Sequence, residues 1–119
     1  MTTQEIAKRL VELCNKGEYE TAQKELYADN AISIEPYSTP AFEKETKGLK
    51  AILEKGHKFS SMVEKMHGGS LSDPLVVGSS IAFTLTMDVT MKGKSREKMT
   101  ELCVYEVKDG KIVSEQFHL

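Results

Sequence analysis

A carboxylate at the end of the first predicted strand could act as an acid or a base. Residues 32–36 alternate apolar and polar side chains as a half-buried strand does, with Glu35 on the same side as Ser33 and with Pro36 ending the strand. Burial at such a position would raise the pKa of Glu35 toward that of a useful general base. The alternative is a solvated carboxylate at a strand end. Glu35 is therefore the candidate catalytic residue, with both interpretations open.

A second carboxylate lies on the long alternating run over residues 99–107. Glu101 shares one face of this run with Cys103 and Tyr105. A carboxylate on an otherwise apolar face needs a partner, because an unpaired buried charge is costly. The alternative is a pair across neighbouring strands with a lysine near the rim of the sheet. We expect Glu35 and Glu101 to form a polar patch in an apolar pocket.

The histidines are too sparse for a metal site. His67 follows Glu64 at i+3, a spacing found in carboxylate-bridged metal sites on helices, but such a site needs a second pair that the sequence lacks. His57 and His67 match no common ligand spacing. We therefore expect no metal and no other cofactor. His67 is a candidate hydrogen-bonding group of the pocket, or alternatively a histidine at the surface or at a strand edge.

Three helices are predicted from apolar residues at helical spacing. Thr2 and Glu5 can form a capping box ahead of a first helix, which Gly17 ends. A second helical pattern runs from Tyr19 until Asp29-Asn30. A third helix is predicted over about residues 48–60.

Strands are predicted where apolar and polar residues begin to alternate, with a period of two residues. The Asp109-Gly110 dipeptide is the strongest hairpin signal, and Gly68-Gly69 and Gly78 are candidate bulge or bend points of long strands. Helices followed by an antiparallel meander predict an α+β fold, in which three N-terminal helices pack on the concave face of a curved antiparallel sheet shaped as a cone. The predicted strands are residues 31–35, 75–77, 81–91, 99–107 and 112–119.

The composition is that of one soluble globular domain over residues 1–119, with 29% charged and 39% hydrophobic residues. A formal charge of −2 gives no excess of positive charge for nucleic acid. The N-terminus lacks a basic region followed by an apolar run, and no apolar stretch is long enough to span a membrane, so a cytoplasmic location is expected. Cys14 and Cys103 are expected to be small buried hydrophobic residues.

Four short segments follow one another in the order Leu26–Ala31, Ile34–Pro36, Lys47–Ile52 and Val104–Val113. Together they resemble the SnoaL-like branch of the nuclear transport factor 2-like superfamily. The resemblance covers nearly the whole chain and implies a cystatin-like cone with a deep apolar cavity. It also implies a homodimer formed through the other face of the sheet. Because this fold hosts enzymes, adaptors and oligomerisation modules, activity has to be argued from side chains.

The resemblance implies a role for Glu35. In ketosteroid isomerases of this superfamily, the general base stands immediately before the proline at the end of the first strand, which matches Glu35. Their oxyanion-binding tyrosine and aspartic acid align with Leu10 and Cys103, which are not strong donors, so the isomerase reaction of those relatives is not expected. Related polyketide cyclases need only a pocket acid or base and an apolar channel. The aspartate–arginine–aspartate arrangement of the epoxide hydrolases is not expected either.

We therefore expect a small-molecule-binding protein whose ligand is apolar or contains a carbonyl group. If the protein is an enzyme, Glu35 would abstract a proton next to the carbonyl in an isomerisation or an aldol-type cyclisation. The alternative is a non-catalytic ligand-binding module or a dimeric interaction module of the same fold. The expected pocket residues are Leu10, His67, Phe83, Met87, Glu101, Cys103 and Tyr105.

Overall fold

The computed structural model describes all 119 residues. Three helices and seven strands follow one another along the chain. The helices are α1 (Thr3–Asn15), α2 (Tyr19–Leu26) and α3 (Leu49–Met62). The strands are β1 (Tyr27–Ile34), β2 (Glu45–Lys47), β3 (Val63–Leu71), β4 (Leu75–Val77), β5 (Ser80–Met91), β6 (Arg96–Lys108) and β7 (Lys111–His118).

Helix α1 begins at the predicted capping box. The Thr2 side chain accepts a hydrogen bond from the Glu5 backbone N–H, and the Glu5 carboxylate accepts one from the Thr2 N–H. These two bonds satisfy donors that a helix start leaves free. The predicted apolar stripe of α1 is buried, with Ile6 and Leu10 almost without solvent contact.

The strands form one curved sheet in the order β2-β1-β7-β6-β5-β3, with β4 paired to β5. The predicted α+β cone is confirmed, and the sheet is mixed rather than purely antiparallel, because β1 pairs with β7 in parallel. Alternation along one strand shows which side chains share a face, but it does not show the direction of the neighbouring strand. The parallel pair could therefore not be read from the sequence.

The boundary between α2 and β1 and the presence of β3 differ from the prediction, because local sequence pattern competes with tertiary pairing. Helix α2 ends at Leu26, and β1 begins at Tyr27, several residues before the predicted strand. Strand β3 was not predicted, since its sequence contains Gly68 and Gly69 and lacks clear alternation. It is an edge strand with mostly exposed side chains, which a polar sequence suits.

The glycines predicted to mark bulges, bends and turns lie in different kinds of local structure. The register of β3 against β5 shifts between Met66 and Gly68, so the predicted bulge lies there. Gly78 instead forms the turn between β4 and β5, with a φ of +58°. Asp109 and Gly110 both have positive φ, as a tight hairpin turn requires, and they join β6 to β7 as predicted.

The core lies between the helices and the concave face of the sheet. Side chains from α1, α2 and α3 pack there against inward residues of β5 and β6, including Phe83 and Tyr105, whose rings stack with centroids 5.4 Å apart. None of the three helices combines the length and the apolar character that crossing a bilayer would require. The packing leaves a space between helices and sheet.

Candidate functional site

A cavity of about 330 Å³ lies between the helices and the concave face of the sheet. Fifteen of the 22 residues that line it are hydrophobic, and the charged lining residues are three glutamates and one lysine. An apolar space with a few convergent polar groups is the usual form of a small-molecule site. The predicted residues that line it are Leu10, Glu35, Phe83, Met87, Glu101 and Tyr105.

Two residues expected in the pocket do not line it. Cys103 is completely buried in the core, and its burial raises the pKa of the thiol, which keeps the side chain neutral. His67 is half-buried on β3, where its Nε2 lies 2.8 Å from Thr90 Oγ1. The predicted contact of His67 with the cavity is therefore corrected, because β3 pairs at the edge of the sheet. No three His, Cys, Asp or Glu side chains come together as a metal site.

Glu35 follows the last residue of β1 at the border of the cavity. Its backbone N–H donates to the Lys44 carbonyl oxygen at 2.7 Å, which holds the chain in place after the strand. Its side chain is 27% exposed, and Oε2 lies 2.9 Å from the Nζ of Lys55 on α3. The carboxylate is therefore both fixed by an ion pair and open to the cavity.

Glu115, on β7, is a buried carboxylate that sequence reasoning missed. It is 3% exposed and accepts hydrogen bonds from the hydroxyl groups of Tyr27 and Ser33, the latter at 2.6 Å. Burial raises the pKa of this carboxyl, and the hydrogen bonds from Ser33 and Tyr27 and the positive charge of Lys55 partly oppose the rise. The least exposed polar residue on the cavity lining is thus a carboxyl group with two hydroxyl donors.

A β-bulge explains why Glu115 was missed. Alternation counted from the buried Ile112 would turn residue 115 toward solvent. The register against β6 shifts at residue 113, so that Val107 faces Ile112 but Glu106 faces Ser114. The extra residue reverses the alternation and brings Glu115 opposite the inward-facing Tyr105.

Lys55 is the second charged residue of the cavity that sequence reasoning missed. Its Nζ donates to Ser33 Oγ at 2.6 Å and to Glu35 at 2.9 Å, and it lies 5.7 Å from the centre of the Phe117 ring. The side chain is only 16% exposed. A signal was available, because Lys55 follows the buried Ile52 at i+3 on the apolar face of α3.

Glu101 lies on β6 and faces the same cavity. Burial raises its pKa to about 7, with further contributions from the negative charges of Glu35 and Glu115 and an opposing one from Lys55. The protein offers Glu101 no hydrogen-bond donor. A carboxyl group in this state can hold or release a proton near neutral pH.

The chain is similar to proteins of one known domain family. The SnoaL-like domain profile matches residues 1–119. A structure from Mesorhizobium loti, described provisionally as a SnoaL-like polyketide cyclase [carbohydrate phosphatase], is 34% identical, with a TM-score of 0.93 and full coverage of both chains. No curated protein sequence matches the chain.

Two more distant structures share the fold. A protein of unknown function with a cystatin-like fold from Xanthomonas campestris is 20% identical, with a TM-score of 0.83, and the match covers 99% of this chain and 90% of that one. IdmH from Streptomyces antibioticus, described provisionally as a polyketide cyclase, is also 20% identical, with a TM-score of 0.73 and coverages of 98% and 91%. Profile, identity and coverage agree, and the chain therefore belongs to the SnoaL-like domain family of the nuclear transport factor 2-like superfamily.

Proposed function

We propose that the cavity binds a small, largely apolar molecule with a carbonyl group, and that Glu35 acts on it as a general base. The observation that carries the proposal is the position of the Glu35 carboxylate on the lining of a mostly hydrophobic cavity. Apolar walls take up the hydrocarbon part of such a ligand, while few polar groups remain to orient its oxygen.

In the proposed reaction, the Glu35 carboxylate removes a proton from the carbon next to the carbonyl. The electrons of the C–H bond form a carbon–carbon double bond, and the carbonyl electrons move onto oxygen to give an enolate. In an isomerisation, Glu35 then returns the proton to a different carbon. In an aldol-type cyclisation, the enolate carbon attacks a second carbonyl of the same molecule, and the resulting alkoxide takes the proton.

Proton exchange at a ketone tests the proposal without knowledge of the natural substrate. Acetophenone binding can be followed by NMR titration, and exchange of its methyl protons in deuterated water by loss of the methyl signal. Glu35→Gln should fold normally and reduce the exchange at least about a hundredfold, because a positioned general base contributes about that much. Glu43→Gln, at an exposed position nearby, is the matched control and should exchange as the wild type does.

A non-catalytic ligand-binding module is the second candidate. It is favoured by the pairing of Glu35 with Lys55 and of Glu115 with Tyr27 and Ser33, since these groups then satisfy one another. Acetophenone binding without proton exchange in the wild type would support this candidate over the first. Absence of any ketone binding at millimolar concentration would refute both.

We also propose a homodimer formed through the convex face of the sheet. Leu75, Val77 and Leu102 expose large parts of their apolar side chains, and their pairing partners place them on the face opposite the cavity. Sedimentation analysis should give twice the mass of the chain. Leu102→Glu should shift the protein toward the monomer if this face is the interface.

A further inference from the structure

We propose that Lys55 binds the carbonyl oxygen of the ligand, and that Glu115 positions Lys55 through Ser33. This inference rests on the proposed function and adds the group that would receive the negative charge of the enolate. It is carried by a chain of contacts from the buried end of the cavity to its border, which runs through Tyr27, Glu115, Ser33, Lys55 and Glu35.

Lys55 has one donor left for a ligand. A lysine ammonium carries three N–H donors. In this protein one points to Ser33 and one to Glu35, and the third has no hydrogen-bond acceptor. Since Lys55 is also the only basic residue that lines the cavity, its third N–H is the one positively charged donor available inside.

The Lys55 ammonium also contacts Glu35, the proposed base, so the base and the donor to the carbonyl oxygen lie next to each other. Glu35 Oε2 lies 2.9 Å from Nζ, so a carbonyl oxygen bonded to the third N–H would lie close to the base. When Glu35 takes up the proton, it loses its negative charge, and an equal charge develops on the carbonyl oxygen of the ligand. That oxygen would be hydrogen-bonded to the Lys55 ammonium. Preorganised positive charge at the developing oxyanion is a large contribution in reactions of this type.

Glu115 fixes the geometry through Ser33. The Ser33 hydroxyl donates its hydrogen to Glu115 Oε2 at 2.6 Å, so its lone pairs are left to accept from Lys55, also at 2.6 Å. Both Ser33 and Glu115 are almost completely buried. Because one hydroxyl hydrogen cannot serve two acceptors, Glu115 orients Ser33 as an acceptor toward Lys55, and it acts as a positioning residue.

A pair of matched ligands tests the role of Lys55. Acetophenone and α-methylstyrene have nearly the same shape, but only acetophenone has an oxygen. In Lys55→Met, acetophenone affinity measured by NMR titration should fall about tenfold or more, as expected for loss of a hydrogen bond from a charged donor, whereas α-methylstyrene affinity should stay unchanged. Lys55→Gln serves as a second variant if the methionine variant does not fold.

Tyr105→Phe is the control variant, because the Tyr105 hydroxyl is another donor on the cavity lining. If acetophenone affinity falls selectively in Tyr105→Phe and not in Lys55→Met, the assignment of Lys55 is overturned. An equal loss of both ligands in Lys55→Met would also overturn it, while the proposed cavity would stand. If neither ligand binds the wild type, the proposed function fails and this inference fails with it.

The positioning role of Glu115, which acts through Ser33, is tested by a separate measurement. A stronger hydrogen bond lowers the infrared carbonyl stretching frequency of bound acetophenone. The frequency should be lowest in the wild type, highest in Lys55→Met and intermediate in Ser33→Ala, which a general loss of stability would not produce. Glu115→Gln keeps the size of the side chain and should give the same intermediate result. A wild-type frequency in both the Ser33 and the Glu115 variant would refute the positioning role.

Discussion

Replacement of Glu101 by glutamine should remove a specific part of the pH dependence of folding stability. The pKa of Glu101 is raised from 4.5 to about 7 in the folded protein, mainly by burial and then by the charges of Glu35 and Glu115. Between these two pH values, the folded state holds a proton that the unfolded state has lost. The contribution of Glu101 to stability is therefore highest below pH 4.5 and is lost as the pH rises to about 7.

The magnitude follows from the two pKa values. At about 1.4 kcal/mol per pKa unit, the difference between 4.5 and about 7 corresponds to at most about 3.5 kcal/mol. A glutamine side chain resembles the protonated acid in shape and cannot ionise. Glu101→Gln should therefore match the wild type below pH 4.5 and exceed its free energy of unfolding by up to about 3.5 kcal/mol above pH 7.

The assay is urea unfolding at a series of pH values, followed by circular dichroism because the chain has no tryptophan. The informative quantity is the difference in free energy of unfolding between variant and wild type, in which the titration of groups that do not interact with Glu101 cancels. Glu97→Gln, at an exposed position of the same strand, is the matched control and should show no such rise. A wild-type–variant difference that stays constant with pH would show that the Glu101 carboxyl is not perturbed and would refute the reasoning.

Two further predictions concern stability. Tyr27→Phe removes one of the two hydroxyl donors of the buried Glu115 and should lower the free energy of unfolding by about 1–3 kcal/mol. An unchanged urea midpoint would show that the stability of the protein does not depend on this hydrogen bond to Glu115. Thr2→Ala removes the side-chain half of the α1 capping box and should cost about 1 kcal/mol in the same assay, and Thr2→Ser, which keeps the hydroxyl, should restore most of it.

The sequence predicted the residues of the regular strands well. Strands β5 and β6 pair without a register shift, from Ser80 opposite Glu106 to Thr90 opposite Arg96. Along such a ladder, strict alternation holds, so Phe83, Glu101 and Tyr105 could be placed on one face by counting. The helices were predicted for a similar reason, because their apolar residues keep a single period and, in α1, a capping signal marks the start.

The other two charged residues of the cavity, Glu115 and Lys55, are not found by counting regular alternation. Glu115 reaches the cavity only because the bulge at residue 113 reverses the alternation of β7, and a bulge leaves little trace in one sequence. Lys55 reaches it because a long side chain on the apolar face of α3 can extend to the end of β1. Its spacing from Ile52 places Lys55 on the apolar face of α3, but a long charged side chain there can also extend to solvent, so the spacing does not identify its partners.

The charges of the cavity also indicate where a proton is held. Glu35, Glu101 and Glu115 face Lys55, so full ionisation would leave two unbalanced negative charges in a mostly apolar space. Glu35 forms an ion pair with Lys55, and the hydroxyl groups of Tyr27 and Ser33 donate to Glu115, which partly offsets the rise of the Glu115 pKa caused by burial. Glu101 has neither kind of partner, and burial raises its pKa to about 7, so this carboxyl group can hold a proton near neutral pH. The cavity then presents the Glu35–Lys55 ion pair together with a carboxyl group, Glu101, that can accept or supply a proton near neutral pH.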